Sequence, residues 1–369
     1  MRTVKWNPFL SGAAMLLGGV VLWAGAARAD YTTTNPAAIL VFPKVVFDTN
    51  AGTDTTIQIT NTSPAPVNVR CYLVNAVTPS TTTLPPITTT GCVETDFAFT
   101  LSPFQPLMWK LSAGTTNDPF AAEALFMNSS AAIPQAPTDP MYGELKCIEV
   151  DGSEAPTDSN DLKGEASIET EVDGAIDINS YNAVGLQAIP GANNTDNNLV
   201  LGGASAEYEG CPLYLILDNF FDGAVEPIDS DKVTTDLVLV PCSENFLTQT
   251  WAKTTVQFLV FNEFEQRFST SRSSQCYTEA TLSSLDLPTA STAEQNNLSI
   301  FSAAVEGTLT GQTLIRGSDT TGAGSHGLLG VAEEFHRGSG GTHTASFSLV
   351  QRAPRTGADT IVLAPTQNQ

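Results

Sequence analysis

Glu263 and Glu265 are the sharpest pair of chemically capable residues in this chain. Two apart on a strand, their side chains share one face, and Arg267 continues that face. Two carboxylates beside a sugar cleft can act as acid and as nucleophile or base in glycoside hydrolysis. The same spacing describes a solvated strand face on which Arg267 relieves repulsion between the acids. Both readings are expectations of one strand over Thr254–Phe268, where Val256, Phe258, Val260, Phe264 and Phe268 share a parity.

Metal chemistry has two candidate sources. His326, His336 and His343 lie within eighteen residues, and three imidazoles can hold zinc or copper. Their spacings of ten and seven match no H-x-H or H-x-x-x-H pattern, and glycine-rich stretches surround them. Acidic turns can hold calcium, which takes six to eight oxygens. The turns are Asp158, Asn160 and Asp161; Asp173, Asp177 and Asn179; and Glu226, Asp229 and Asp231. None completes a D-x-[DN]-x-[DN]-G loop, and ordinary Asx turns use the same residues. The expected set is therefore no cofactor, with calcium at Asp158, Asn160 and Asp161 as the exception to test.

Nucleophile motifs are missing. Ser325 and Ser339 fail G-x-S-x-G because Ala323 and Arg337 stand where glycine is required. The cysteines are better suited to bonding one another. There are six, Cys71, Cys92, Cys147, Cys211, Cys242 and Cys276, with no C-x-x-C pair. An even number in an oxidising compartment implies three disulfides among 15 connectivities. Sequence proximity favours Cys71–Cys92, Cys242–Cys276 and Cys147–Cys211.

Residues 1–29 supply the compartment. Arg2 and Lys5 precede an apolar run from Phe9 to Ala27, and Ala27-Arg28-Ala29 precedes Asp30. That is the layout of a secretory signal peptide cleaved between Ala29 and Asp30. An uncleaved membrane anchor is the competing reading, since the run is about long enough to span a bilayer. Four glycines dilute it, and no cysteine follows it to carry a lipid. No later apolar stretch is long enough to span.

Of 369 residues, 41% are hydrophobic and only 15% charged, with a formal net charge of −23. Removing Arg2, Lys5 and Arg28 leaves thirteen basic against 39 acidic residues, or −26. Such a field repels nucleic acid and anionic membranes. It suits a soluble exported protein, and it also favours divalent cations or basic partners.

Strand signals dominate the rest. Ile57 and Ile59 alternate with polar residues, as do Val67, Val69, Cys71 and Leu73. Asn61 to Pro66 between them predicts a hairpin turn. Ala38–Phe42 and Val45–Phe47 are short runs interrupted by Pro43. Phe97, Phe99 and Leu101 alternate before Pro103, and Leu107, Trp109 and Leu111 resume after it. Asp118 and Pro119 open the best helix, through Met127. Further strands are expected at Gly143–Val150, Gly164–Ile168, Tyr214–Leu217, Leu237–Val240, Leu298–Val305, Thr313–Ile315 and Thr344–Val350. No repeat period is visible, which argues against solenoids and propellers.

Thr55 to Ser63, with the Asn61-Thr62 turn, followed by Pro66 to Cys71, resembles the bacterial immunoglobulin-like domains of the PapD/ASH type. Phe97 to Trp109 resembles their later proline-broken strand pair. The resemblance covers about a quarter of the chain. It implies a seven-stranded sandwich used for adhesion, assembly or scaffolding.

The expected architecture is all-β. Residues 1–29 form a signal peptide and 30–115 an immunoglobulin-like β-sandwich. Residues 116–142 carry a short helix and linker, and 143–369 a larger antiparallel β domain. The expected function is an exported, non-catalytic structural or binding protein, periplasmic, cell-surface or extracellular. Its partner is a protein or a glycan, with no nucleic acid and no membrane after signal removal. The alternatives are a secreted carbohydrate-active enzyme using Glu263 and Glu265, and a calcium-stabilised adhesion or carbohydrate-binding module.

Overall fold

The computed structural model describes residues 34–76, 87–88, 92–114, 133–172, 174–192, 196–225, 230–286, 299–301, 310–319, 326–338, 341–355 and 357–364. The signal segment, the Ala29/Asp30 junction, the helix expected over 118–127 and most of a segment rich in threonine and proline between Cys71 and Cys92 (residues 78–90) lie outside them.

Alternating apolar residues form strands here, as period two requires. Among the described residues the only helical element is a 3-10 turn, Leu282–Ser284, and no helix is long and apolar enough to cross a membrane. The strands make five sheets. The first orders Val184–Leu186, Ile39–Phe47, Met141–Val150, Val67–Asn75 and Val93–Leu101. The second orders Pro106–Lys110, Thr53–Asn61, Leu162–Val172 and Ala175–Asn182. The third orders Arg267–Gln275, Lys253–Asn262, Gly311–Asp319, Pro212–Phe220 and Val350–Pro354. The fourth orders Gly341–Ser348, Leu328–Gly338, Lys232–Pro241, Thr278–Thr281 and Ile87–Thr88 and carries Ala224–Val225 on Lys232–Pro241. The fifth orders Asn198–Leu201, Asp359–Val362, Glu244–Asn245 and Thr250–Trp251.

All-β therefore holds, but the immunoglobulin-like sandwich followed by a second domain does not. The five small sheets form a five-bladed propeller-like arrangement. The expectation against a propeller fails for a physical reason. A propeller built from consecutive hairpins repeats in sequence, whereas these sheets take strands from distant parts of the chain, so no period can appear. The strand pair that suggested the immunoglobulin-like domain illustrates this. Thr53–Asn61 and Val67–Asn75 do not pair as a hairpin; they belong to the second and first sheets. Asn61 fixes the crossover by donating its amide to the carbonyls of Ala65 (2.7 Å) and Ser102 (2.9 Å).

The first two sheets face each other across one core, where Trp109 meets Phe97 edge-on at 6.2 Å between ring centres. That core continues to Leu199, Phe246, Trp251 and Ile361 of the fifth sheet or its connections. A second core lies between the third and fourth sheets, around Phe220, Phe258, Phe301 and Leu239.

Three disulfides brace the fold, and all three pairings differ from those favoured by sequence proximity. They are Cys71–Cys147, Cys92–Cys276 and Cys211–Cys242. Strand Met141–Val150 inserts beside Val67–Asn75 and sets Cys147 directly opposite Cys71, with Cα atoms 4.0 Å apart. Nearest-in-sequence pairing ignores such an insertion. Three disulfides fit an oxidising, exported environment.

Candidate functional site

The paired glutamates do not share a strand face. The strand expected over Thr254–Phe268 is two, Lys253–Asn262 and Arg267–Gln275, joined by a tight turn. Asn262 builds that turn. Its side-chain oxygen accepts the backbone N–H groups of Phe264 (3.0 Å) and Gln266 (2.9 Å), and its amide donates to the Gln266 side chain (2.7 Å). Glu265 takes a left-handed φ of 61°. Glu263 and Glu265 are therefore exposed on a turn tip.

The first calcium turn is largely committed to the protein. Asn160 donates its amide to the Ala188 carbonyl (3.1 Å) and accepts the Ala188 N–H (2.7 Å), like one rung of a sheet ladder. Asp158 accepts the Gly191 N–H at 3.2 Å, and the Asp161 N–H donates to Glu149 at 3.2 Å. Burial, then the charge of Asp161, pushes the Glu149 carboxyl up to about 7. In the second turn Asp173 lies outside the described residues. Asp177 accepts the Thr344 N–H at 2.7 Å, and Asn179 donates to the Thr344 hydroxyl at 2.8 Å. These bonds tie edge strand Ala175–Asn182 to Gly341–Ser348 of another sheet. Glu226 and Asp229 lie outside the described residues; Asp231 is buried.

The histidines separate. His336 and His343 face each other across neighbouring strands, and His336 Nε2 lies 2.7 Å from Glu334. His326 is elsewhere, with Nδ1 3.7 Å from Asp359. Asp359 also accepts from Ser243 (2.8 Å) and Arg355 (2.6 Å). Ser, His and Asp thus gather, but with the carboxylate in the middle. A hydrolase triad needs the imidazole in the middle, between acid and hydroxyl. Cys211, Cys242 and Asp359 also lie close together, yet the two sulfurs are bonded to each other and cannot act as thiolate ligands.

Buried charge is where the sequence was least legible. Pro43 does not break Ile39–Phe47; it sits in a register shift between Phe42 and Val45. Bulges re-aim side chains, and here Lys44 turns inward. It donates to Glu279 (2.6 Å) and to Glu333, and the Tyr277 hydroxyl donates to the same Glu279 at 2.8 Å. Lys146 donates to Glu144 and Glu244, both at 2.6 Å. Burial raises the Glu244 carboxyl well above its ordinary range, and the neighbouring Glu144 adds to it. Arg70 pairs with Asp96 and donates to the Ala364 carbonyl at 2.7 Å. These charges are buried and paired, and they join sheets; Arg70 also lies 3.4 Å from Glu154, whose side chain is 41% exposed. Pro43 inside an apolar run is the one sequence signal that marked any of them.

The accessible chemistry lies on open sheet faces. On the third sheet the ladder aligns Leu259, Leu314, Ile216 and Val350 in one row across four strands. Val350 is 56% exposed and the other three half-buried. The opposite parity, Val256, Phe258, Val260, Leu215 and Ile315, fills the core. Gln257 and Arg316 lie opposite each other in the flanking row, as do Tyr214 and Arg352. Arg267 stands beside Phe261 on the other flank. With Lys253, four cations share this face, and among the described residues none of the four pairs with a carboxylate.

No family model and no curated protein matches the chain, so the PapD/ASH resemblance has no support there either. Among solved structures the chain is similar to a Thermotoga maritima protein, with 5% identity over 40% of this chain and 98% of that chain and a TM-score of 0.26. It is also similar to cowpea mosaic virus top component, naturally occurring empty particles, at 11% identity over 85% and 82% of the two chains, TM-score 0.20. For the apo lectin of Pleurotus ostreatus the values are 12%, 93%, 89% and 0.14. TM-scores this low carry no argument about this chain.

Proposed function

We propose that this chain is an exported, non-catalytic binding or structural protein that works through an open sheet face. The apolar row Leu259, Leu314, Ile216 and Val350, flanked by Arg267, Arg316 and Arg352, which pair with no carboxylate among the described residues, carries the reading. A row of four aliphatic side chains on the solvent side of a sheet, rimmed by polar groups, is the composition of an interaction patch. Export is supported by the three disulfides and by residues 1–29, whose layout is that of a signal peptide with a cleavage site at Ala29/Asp30.

A photo-crosslinker at Val350, with the same group at the exposed Val93 as control, tests the reading in the secreting cell. Adducts at position 350 above the control are expected. Equal labelling at both positions would overturn the proposal. So would hydrolysis of a glycan panel that is lost in Glu263→Gln.

A further inference from the structure

The second sheet presents a charged outer face with exposed apolar residues at its edges, and its charge is of the opposite sign. Along edge strand Ala175–Asn182, Ile176 and Ile178 are 64% and 58% exposed, and Met108 at the far edge is 49% exposed. The ladder sets Glu171 opposite Ile176, Glu169 opposite Ile178, and Asp54 opposite Glu169. Glu165 and Lys163 continue that face, and Lys110 is already held by Glu169 at 2.7 Å. Four acids against two bases make it net negative. The third-sheet face carries four bases against Asp218, with the exposed Glu263 and Glu265 on the turn tip beside Arg267, and is net positive by one.

We propose that these two faces bind each other between copies of this chain, head to tail; the inference rests on the binding reading above and names its partner. Both faces are exposed within one chain, so neither covers the other there. Like charge opposes the meeting of two third-sheet faces or two second-sheet faces, while the mixed pairing joins aliphatic rows and complementary rims. The aliphatic row spans four strands, roughly 14 Å at the usual strand spacing, and Ile176 and Ile178, about 7 Å apart along one strand, cover half of it. A pairing of two different patches is heterologous, so it propagates into a ring or an open fibre and does not stop at a dimer.

The full chain, sedimented at rising concentration at about 0.15 M salt, where a Debye length of about 8 Å screens the repulsion between copies of net charge −23, should grow past dimer. Raising salt to about 1 M shrinks the Debye length to about 3 Å and should return it toward monomer. Two variants at exposed positions sharpen the test: Val350→Asp/Arg352→Asp and Ile176→Asp/Ile178→Asp. Each should be monomeric alone, since each keeps one working face. Mixed in equal amounts they should form a 1:1 pair and stop, because each supplies the face the other lacks. A wild-type chain that stays monomeric at about 0.15 M salt would overturn the proposal, as would a mixture with no pair or a variant that dimerises alone. If either variant misfolds, the salt series decides. Failure here is distinct from failure of the binding reading: crosslinks at Val350 to a different molecule would keep that reading and discard self-assembly.

Discussion

The Lys146 ammonium and the Glu244 carboxylate meet 2.6 Å apart although 98 residues of chain separate them. Lys146 belongs to the middle of the first sheet and Glu244 to the fifth, so the pair rivets two sheets through side chains that are fully buried. Lys146→Met would leave Glu144 and Glu244 facing each other without a cation. Breaking such a pair from one side costs about 3–5 kcal/mol. Denaturant unfolding should show that loss, and apolar replacement of all three residues should recover much of it. A loss below about 1 kcal/mol in the single variant would mean that the two acids share a proton without help from the lysine.

Non-reducing peptide mapping should return Cys71–Cys147, Cys92–Cys276 and Cys211–Cys242. Cys71→Ala/Cys147→Ala opens a loop of sequence separation 76 and should lower stability by about 2–5 kcal/mol. Recovery of a Cys71–Cys92 peptide would contradict the strand order of the first sheet.

Stability should fall as pH rises from about 4.5 to about 7. Burial raises Asp222 to about 7 and Asp236 to about 6, and burial with the nearby Asp161 raises Glu149 to about 7. Between the ordinary carboxyl range and these values the folded chain holds protons that the unfolded chain releases, so each contribution is present at the acid end and lost going up. Asp222 Oδ2 accepts the Ser283 N–H while its Oδ1 has no partner, so protonation costs no existing bond. Asp222→Asn should flatten the slope between pH 5 and 7 relative to wild type. Parallel curves for the two proteins would refute the assignment.

Glu263→Gln and Glu265→Gln should each change stability by less than about 0.5 kcal/mol, as exposed surface substitutions do. Asn262→Ala removes the acceptor of two backbone N–H groups and should cost about 1–3 kcal/mol. Thermal melts separate the two cases. A larger effect of the glutamates than of Asn262 would restore them as a working pair.

Calcium should leave the melting temperature where a chelator leaves it, because the Asn160 amide is spent on Ala188. A rise of several degrees with calcium would mean that Asp158, Asp161 and Glu149 open to bind it.

What could be seen in the residues was the period of two. Val67, Val69, Cys71 and Leu73 are buried as their alternation demands. The intervening Arg70 and Tyr72 are buried too, because Val67–Asn75 is an inner strand covered on both faces. Alternation cannot register that second cover, since it depends on Ala364 and Phe246, which arrive nearly three hundred and almost two hundred residues later. The single run over Thr254–Phe268 misled for a local reason. Phe264 and Phe268 extend the parity, but Asn262 folds the chain back before they are reached. Strand partners were invisible because pairing is a property of two segments, and neighbours in sequence here join different sheets. The open faces were invisible for the same reason: Leu259, Leu314, Ile216 and Val350 become a row only when four separate strands are set in register.

Strand Asp359–Val362 lies between Asn198–Leu201 and Glu244–Asn245. Among the described residues this is the last strand in the chain, so residues 198–201 and 244–245 are in place before the strand that lies between them. Long-range pairing of this kind is slow and late. A chain cut before Asp359 therefore leaves two strand edges open to solvent, and the fifth sheet closes only when its latest strand slides between them.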